Sequence, residues 1–172
     1  MNIGYVAVEQ FIPTQNYQDW CKLYHVKEVV SIDGCLCPSI FNYLEDEYND
    51  RVIWFDNYIV TRDLEWLIEL IADKAGYQIL AVSKSPCFDS SCKFADERFG
   101  FMGYDMIDHH DDISALTNCG GLDKAFLPCD ISIYGLIADF SKAKEIQQKL
   151  LEEYPEDDHA DCVMWAIWRL EV

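Results

Sequence analysis

Two hydrophobic periods alternate along the chain. Some stretches carry apolar residues at helical spacing; others are short and apolar nearly throughout, as strands are. Residues 1–11 open with apolar and β-branched side chains and predict a strand that Pro13 ends. Thr14 or Asn16 can cap the helix that follows, in which Tyr17, Trp20, Cys21 and Tyr24 fall on one face. Residues 26–33 predict a second strand built on Val29, Val30 and Ile32. Pro38 stands where a first helical residue is tolerated, and Ile40, Phe41, Leu44 and Tyr48 form the next helical stripe.

Residues 51–60 are aromatic and β-branched and read either as a strand or as an extended approach to a helix. That helix is the clearest in the chain: Leu64, Leu67, Ile68 and Ile71 share a face, Thr61 or Asp63 can cap it, and Gly76 follows its end. Residues 77–83 are almost wholly apolar, as a strand buried on both faces should be. Residues 84–98 form a polar connection. Residues 99–108 predict a strand with a bulge, paired as a hairpin with residues 113–119 across a turn at 109–112. The stretch 123–135 has no clear period. Residues 141–154 form an amphipathic helix through Ala143, Ile146, Leu150 and Tyr154, stopped by Pro155, and residues 162–170 make an all-apolar strand placed inside the sheet. With no repeat and no Pro/Gly/Ser-rich linker, residues 1–172 read as a single domain. The expected fold is α/β or α+β, one mixed sheet with about four helices packed on it.

Charge changes this picture most. The chain has 31 Asp plus Glu against 13 Lys plus Arg, a formal net charge of −18. Such a chain repels nucleic acid and anionic membranes and gathers no basic patch for either. It attracts basic partners. The acids cluster at Glu45, Asp46 and Glu47 with Asp50, over Asp105–Asp112, and at Glu152, Glu153, Glu156, Asp157, Asp158 and Asp161. Tyr43, Tyr48, Tyr104 and Tyr154 stand beside these runs as candidate anchors. A solvated acidic face is the alternative reading.

The first residues form no secretory signal, and no stretch is apolar for long enough to span a membrane, so the expected setting is a reducing cytoplasm with the eight cysteines as thiols. Three constellations bear on chemistry. Cys21 and His25 are four residues apart on a predicted helix, and Cys35 and Cys37 follow the next strand, a set able to form a Cys₃His zinc site; the alternative is a core Cys21 and loop thiols. Asp105, Asp108, His109, His110, Asp111 and Asp112 mix carboxylates with imidazoles, but adjacent side chains on a strand point to opposite faces, so not all can converge and a solvated hairpin turn accounts for them better. Cys119 before Gly120 and Gly121 can present a thiol near backbone N–H groups, with His109, His110 or His159 as base; the alternative is that the glycines mark only a tight turn. No Gly-rich phosphate loop, G-x-S-x-G or H-E-x-x-H is present, so the chain reads as a binder rather than an enzyme and no cofactor is expected.

Residues Gly103-Tyr104-Asp105, 113–121 and 155–169 resemble segments of small uncharacterised bacterial proteins of the toxin-immunity type. The resemblance covers about the last 70 residues and no catalytic motif. It implies an inhibitor or immunity role and carries no functional residue across; the acid clusters are what make a basic toxin or nuclease-like protein the expected partner, met through Glu45, Asp46, Glu47, Glu152, Glu153, Glu156, Asp157 and Asp158. The alternative is a metal- or thiol-dependent enzyme built on the Cys/His groups.

Overall fold

The computed structural model describes residues 2–43, 50–55, 57–87, 89, 94–108, 113–117, 125–153, 155 and 159–171, with Asn16 by its backbone. Six strands form one sheet: β1 (Gly4–Glu9), β2 (Val52–Phe55), β3 (Tyr58–Thr61), β4 (Tyr77–Lys84), β5 (Phe99–Ile107) and β6 (Val163–Leu170). Their order is β2-β3-β1-β4-β6-β5, and every neighbouring pair is antiparallel. Among the described residues there are three α-helices: α1 (Gln15–Leu23), α2 (Leu64–Ile71) and α3 (Phe140–Glu153). The fold is therefore α+β with an antiparallel sheet, not α/β or mixed, and the described residues hold three helices rather than about four. Of the stripe begun by Ile40 and Phe41, the described part is one 3₁₀ turn, Ile40–Tyr43; Leu44 and Tyr48 lie outside the described residues. No helix among the described residues is long and apolar enough to cross a membrane.

The interior strands are those whose sequences are apolar on both sides. β4 and β6 pair in the middle of the sheet, with Ala81 opposite Trp168 and Val82 opposite Ile167. Successive side chains of β6 serve opposite faces: Trp165 meets Phe55 and Tyr58, while Trp168 meets Phe94 and Phe101. Residues 51–60, whose reading was open, are β2 plus most of β3, a tight hairpin turning between Phe55 and Tyr58. α2 starts where Asp63 accepts the Trp66 N–H at 3.0 Å, and it buries Leu64 and Leu67. In α3, Ala143, Ile146 and Leu150 face the core, and Phe140 packs on Tyr104 of β5.

Irregular segments over residues 24–39, 113–117 and 125–137 cover part of the sheet. Residues 26–33 are not a sheet strand. The N–H groups of Lys27, Glu28 and Val30 donate to the carbonyls of Ile133 and Tyr134 instead. Val26, Val29, Val30 and Ile32 are all buried, a pattern no two-residue period generates. Among the described residues, the expected 99–108/113–119 hairpin is reduced to one bridge, Ile107 with Ser114, because the chain turns over residues 115–117. Ile137 bridges Tyr104 through hydrogen bonds of 2.8 and 3.0 Å, so β5, an edge strand in the sheet order, is covered along its outer side. The predicted bulge falls between Phe101 and Gly103. Gly103 has φ +144°, and a Cβ there would stand 2.7 Å from the Leu136 Cβ, so only glycine lets this strap cross β5 closely.

Candidate functional site

A polar cluster lies where the irregular segments 24–39 and 113–117 meet β5. Asp105 is fully buried in a strand whose neighbours are apolar, and it sits opposite Trp165 in the sheet. Ser31 Oγ donates to its Oδ2 at 2.6 Å, Ser114 Oγ to its Oδ1 at 2.5 Å, and the Met106 N–H to Oδ1 at 2.9 Å. Asp33 takes four hydrogen bonds: from the N–H groups of Cys35, Leu36 and Ser114, and from Thr117 Oγ1. These bonds explain the local structure. The Asp33 carboxylate turns the chain at Cys35 and Leu36, and the hydroxyls of Ser114 and Thr117 hold a turn where alternation predicts a strand.

Burial pushes the Asp105 carboxyl up to about 6; the Ser114 and Ser31 hydrogen bonds oppose the shift and the nearby Asp33 adds to it. Two thiols flank the cluster. Burial, then Asp33, pushes Cys37 up to about 12. Burial, then Asp108, Asp105 and Asp161, pushes Cys162 well above the ordinary thiol range. Thiols so shifted stay protonated at neutral pH, the opposite of what a nucleophile or a metal ligand needs. The cluster is closed to water and pins two loops to the sheet.

The expected zinc set is not assembled. His25 lies beyond the end of α1 with φ +56°. It occupies the first position past the cap: its N–H reaches the Lys22 carbonyl at 3.4 Å, and the Val26 N–H reaches that of Cys21 at 2.9 Å. Because the helix stops, Cys21 and His25 do not share a helical face. Cys35 is exposed on the Asp33 turn while Cys37 points into the core. Among the described residues no group of three or more His, Cys, Asp or Glu could hold a metal ion.

Asp105 and Asp108 are buried rather than part of a solvated turn, since the bulge at Gly103 and the strap beyond it carry this end of β5 under the irregular layer. His109, His110 and Cys119 lie outside the described residues, as do Glu45, Asp46, Glu47, Glu156, Asp157, Asp158, Tyr48 and Tyr154. His159 is buried and its carbonyl accepts the Cys162 N–H at 3.2 Å. Of the aromatic anchors, Tyr43 is exposed, but Tyr104 is fully buried and is a core residue. Sequence reasoning passed over Ser31, Asp33, Ser114 and Thr117. The available signal was Asp105 itself, a single carboxylate inside an apolar strand, which requires donors from elsewhere.

Of the acidic runs, the described members of the third sit on the surface. Glu152 and Glu153 are exposed in the last turn of α3, which holds no basic residue. Beside them a groove of about 370 Å³ runs between α3 and residues 160–162. Leu151, 59 % exposed, and Ala160 give it apolar walls, Asp161 an acidic rim and Lys144 a basic one, and Gln147 a floor fixed to the Cys162 carbonyl at 3.1 Å. No protein family matches this chain, and no curated protein or solved structure matches it significantly.

Proposed function

We propose that this protein binds a basic protein partner and neutralises or regulates it, as an inhibitor of the immunity type does, with the end of α3 and its groove as the contact. The observation that carries this reading is the placement of Glu152 and Glu153. A helix C-terminus carries partial negative charge, so acids there are unfavourable by roughly 0.3–1 kcal/mol each. Here two stand together beside an exposed Leu151 and the acidic stretch that follows. The exposed Gln148 amide donates to Glu152 Oε1 at 2.9 Å, but an arrangement that costs stability and has no basic residue at the helix end is suited to an external cation. A lysine- or arginine-rich segment with one apolar side chain would satisfy both parts: the apolar group against Leu151 and Ala160, the cations against Glu152, Glu153 and Asp161. The partner's basic surface would also meet a net charge of −18, which raises the rate of encounter.

The test is a matched capture from source-cell lysate with the wild-type chain and the variant Leu151→Asp/Glu152→Lys/Glu153→Lys. The expected result is a basic protein retained by the wild type, released by salt and lost from the variant, with the variant melting no lower than the wild type. Retention of the same proteins by both chains, or of no basic protein by either, overturns the proposal.

A further inference from the structure

The chain holds one Asp-Gly pair, Asp33–Gly34. Such a pair is chemically weak. A glycine carries no side chain beside its own nitrogen, so that nitrogen can reach the preceding carboxyl carbon. Its attack on Cγ closes a five-membered succinimide, and one carboxyl oxygen leaves as water with the amide proton and a proton from solution. Water then adds back at either ring carbonyl. Opening at the former Asp33 backbone carbonyl leaves the main chain running through the side chain. The product is an isoaspartate with the same atoms as before.

In the fold this carboxylate is held on every side. Asp33 is 1 % exposed. Its Oδ1 accepts the N–H groups of Cys35 and Leu36 at 2.8 and 3.1 Å, and its Oδ2 accepts the Ser114 N–H and Thr117 Oγ1 at 2.9 and 3.1 Å. Turning Cγ toward the Gly34 nitrogen breaks bonds on both oxygens and strands buried donors. The Asp33 carbonyl, at which isoaspartate would open, is itself bound by the Leu36 and Cys37 N–H groups at 3.2 and 2.8 Å. We infer that Asp33–Gly34 is an isoaspartate site that these hydrogen bonds hold shut, so that modification proceeds only when the Ser114 and Thr117 donors let go. Isoaspartate lengthens the main chain by one carbon and carries the carboxylate off its donors. The change therefore unpins residues 35–36 and 113–117 for good. None of these residues lines the groove on α3, so the inference stands independently of partner binding.

The experiment ages the whole chain in warm neutral buffer and reads isoaspartate at position 33 by peptide mass spectrometry, with electron-transfer fragmentation to identify the β-linked residue. The reference is the same chain unfolded in guanidinium chloride. The native protein should isomerise at least about a hundredfold more slowly than the unfolded chain, because the network must open first. Thr117→Val removes one donor and should speed the native rate about fivefold. Thr117→Ser keeps the hydroxyl and should age as the wild type does. Ile146→Val, a buried substitution in α3 with a comparable loss of stability, should also stay near the wild-type rate, which separates these bonds from stability at large. Ser114→Ala takes the place of Thr117→Val if that variant does not fold. An unfolded chain that gains no isoaspartate, a native wild type that ages as fast as the unfolded chain, or Thr117→Val no faster than Ile146→Val overturns the proposal.

Discussion

Asp33 and Asp105 are joined through one residue: Ser114 gives its backbone N–H to the first at 2.9 Å and its hydroxyl to the second at 2.5 Å. Two buried carboxylates brought this close repel each other, and the serine between them is what makes the arrangement tolerable.

Ser114→Ala should therefore destabilise the protein by about 1–3 kcal/mol, the range for leaving a buried acceptor short of a donor. Thr117→Val removes one of four donors to Asp33 and should cost less. Urea denaturation of the three proteins at neutral pH checks the order; equal stability of Ser114→Ala and wild type would assign the network no energetic role.

The Asp105 carboxyl titrates near 3.8 when unfolded and near about 6 when folded. Between these values the folded protein keeps a proton that the unfolded chain releases. This group's contribution to stability is thus fully present below about 3.8 and is lost as pH rises through about 6, by an amount on the order of 2–3 kcal/mol. Asp105→Asn carries no such titration. Its stability relative to wild type should improve steadily between pH 4 and pH 7, measured by urea melts across about four pH values in that range. A gap that stays constant with pH would contradict the assignment.

Gly103→Ala should destabilise by about 1–3 kcal/mol, as overpacking does, and by more if the strap detaches. The added Cβ meets Leu136 at 2.7 Å and the Ile137 carbonyl at 2.9 Å, at a φ that alanine disfavours. Gly76→Ala, in open space at φ +86°, is the control for the backbone term alone. Thermal unfolding of both variants separates the two contributions.

Thiol reactivity should split by position. Cys35, Cys87 and Cys129 are exposed and should alkylate with iodoacetamide in the native protein, whereas Cys37 and Cys162 should react only after unfolding. Peptide mass spectrometry after a timed reaction reads this directly. Early labelling of Cys37 would show that the core beneath Asp33 opens locally.

Much of the sheet was legible in the sequence because β4, β5 and β6 are long enough to show their period, and α1, α2 and α3 carry clean apolar faces. The β2–β3 hairpin was less so, since four-residue strands leave little room for alternation. Residues 26–33 and 113–117 depart from the expected strands for one shared reason. Their apolar content is that of strands, but their backbone follows hydrogen bonds to Ile133, Asp33 and Asp105, partners distant in sequence. The candidate ligands were similarly opaque: Cys21, His25, Cys35 and Cys37 are close along the chain, but α1 ends before His25 and Asp33 turns the chain at Cys35, and the described residues form no metal-holding group. Asp105 was visible as an anomaly, but its partners were not.

The position of β6 sets an order of events during synthesis. It is the last described strand to leave the ribosome, yet it sits between β4 and β5. Until residues 163–170 emerge, the inner edges of both strands have no mate, and the nascent chain holds two adhesive borders at once. Closing the sheet is a single late insertion, and the period just before it is when this protein is most exposed to strand exchange with its neighbours.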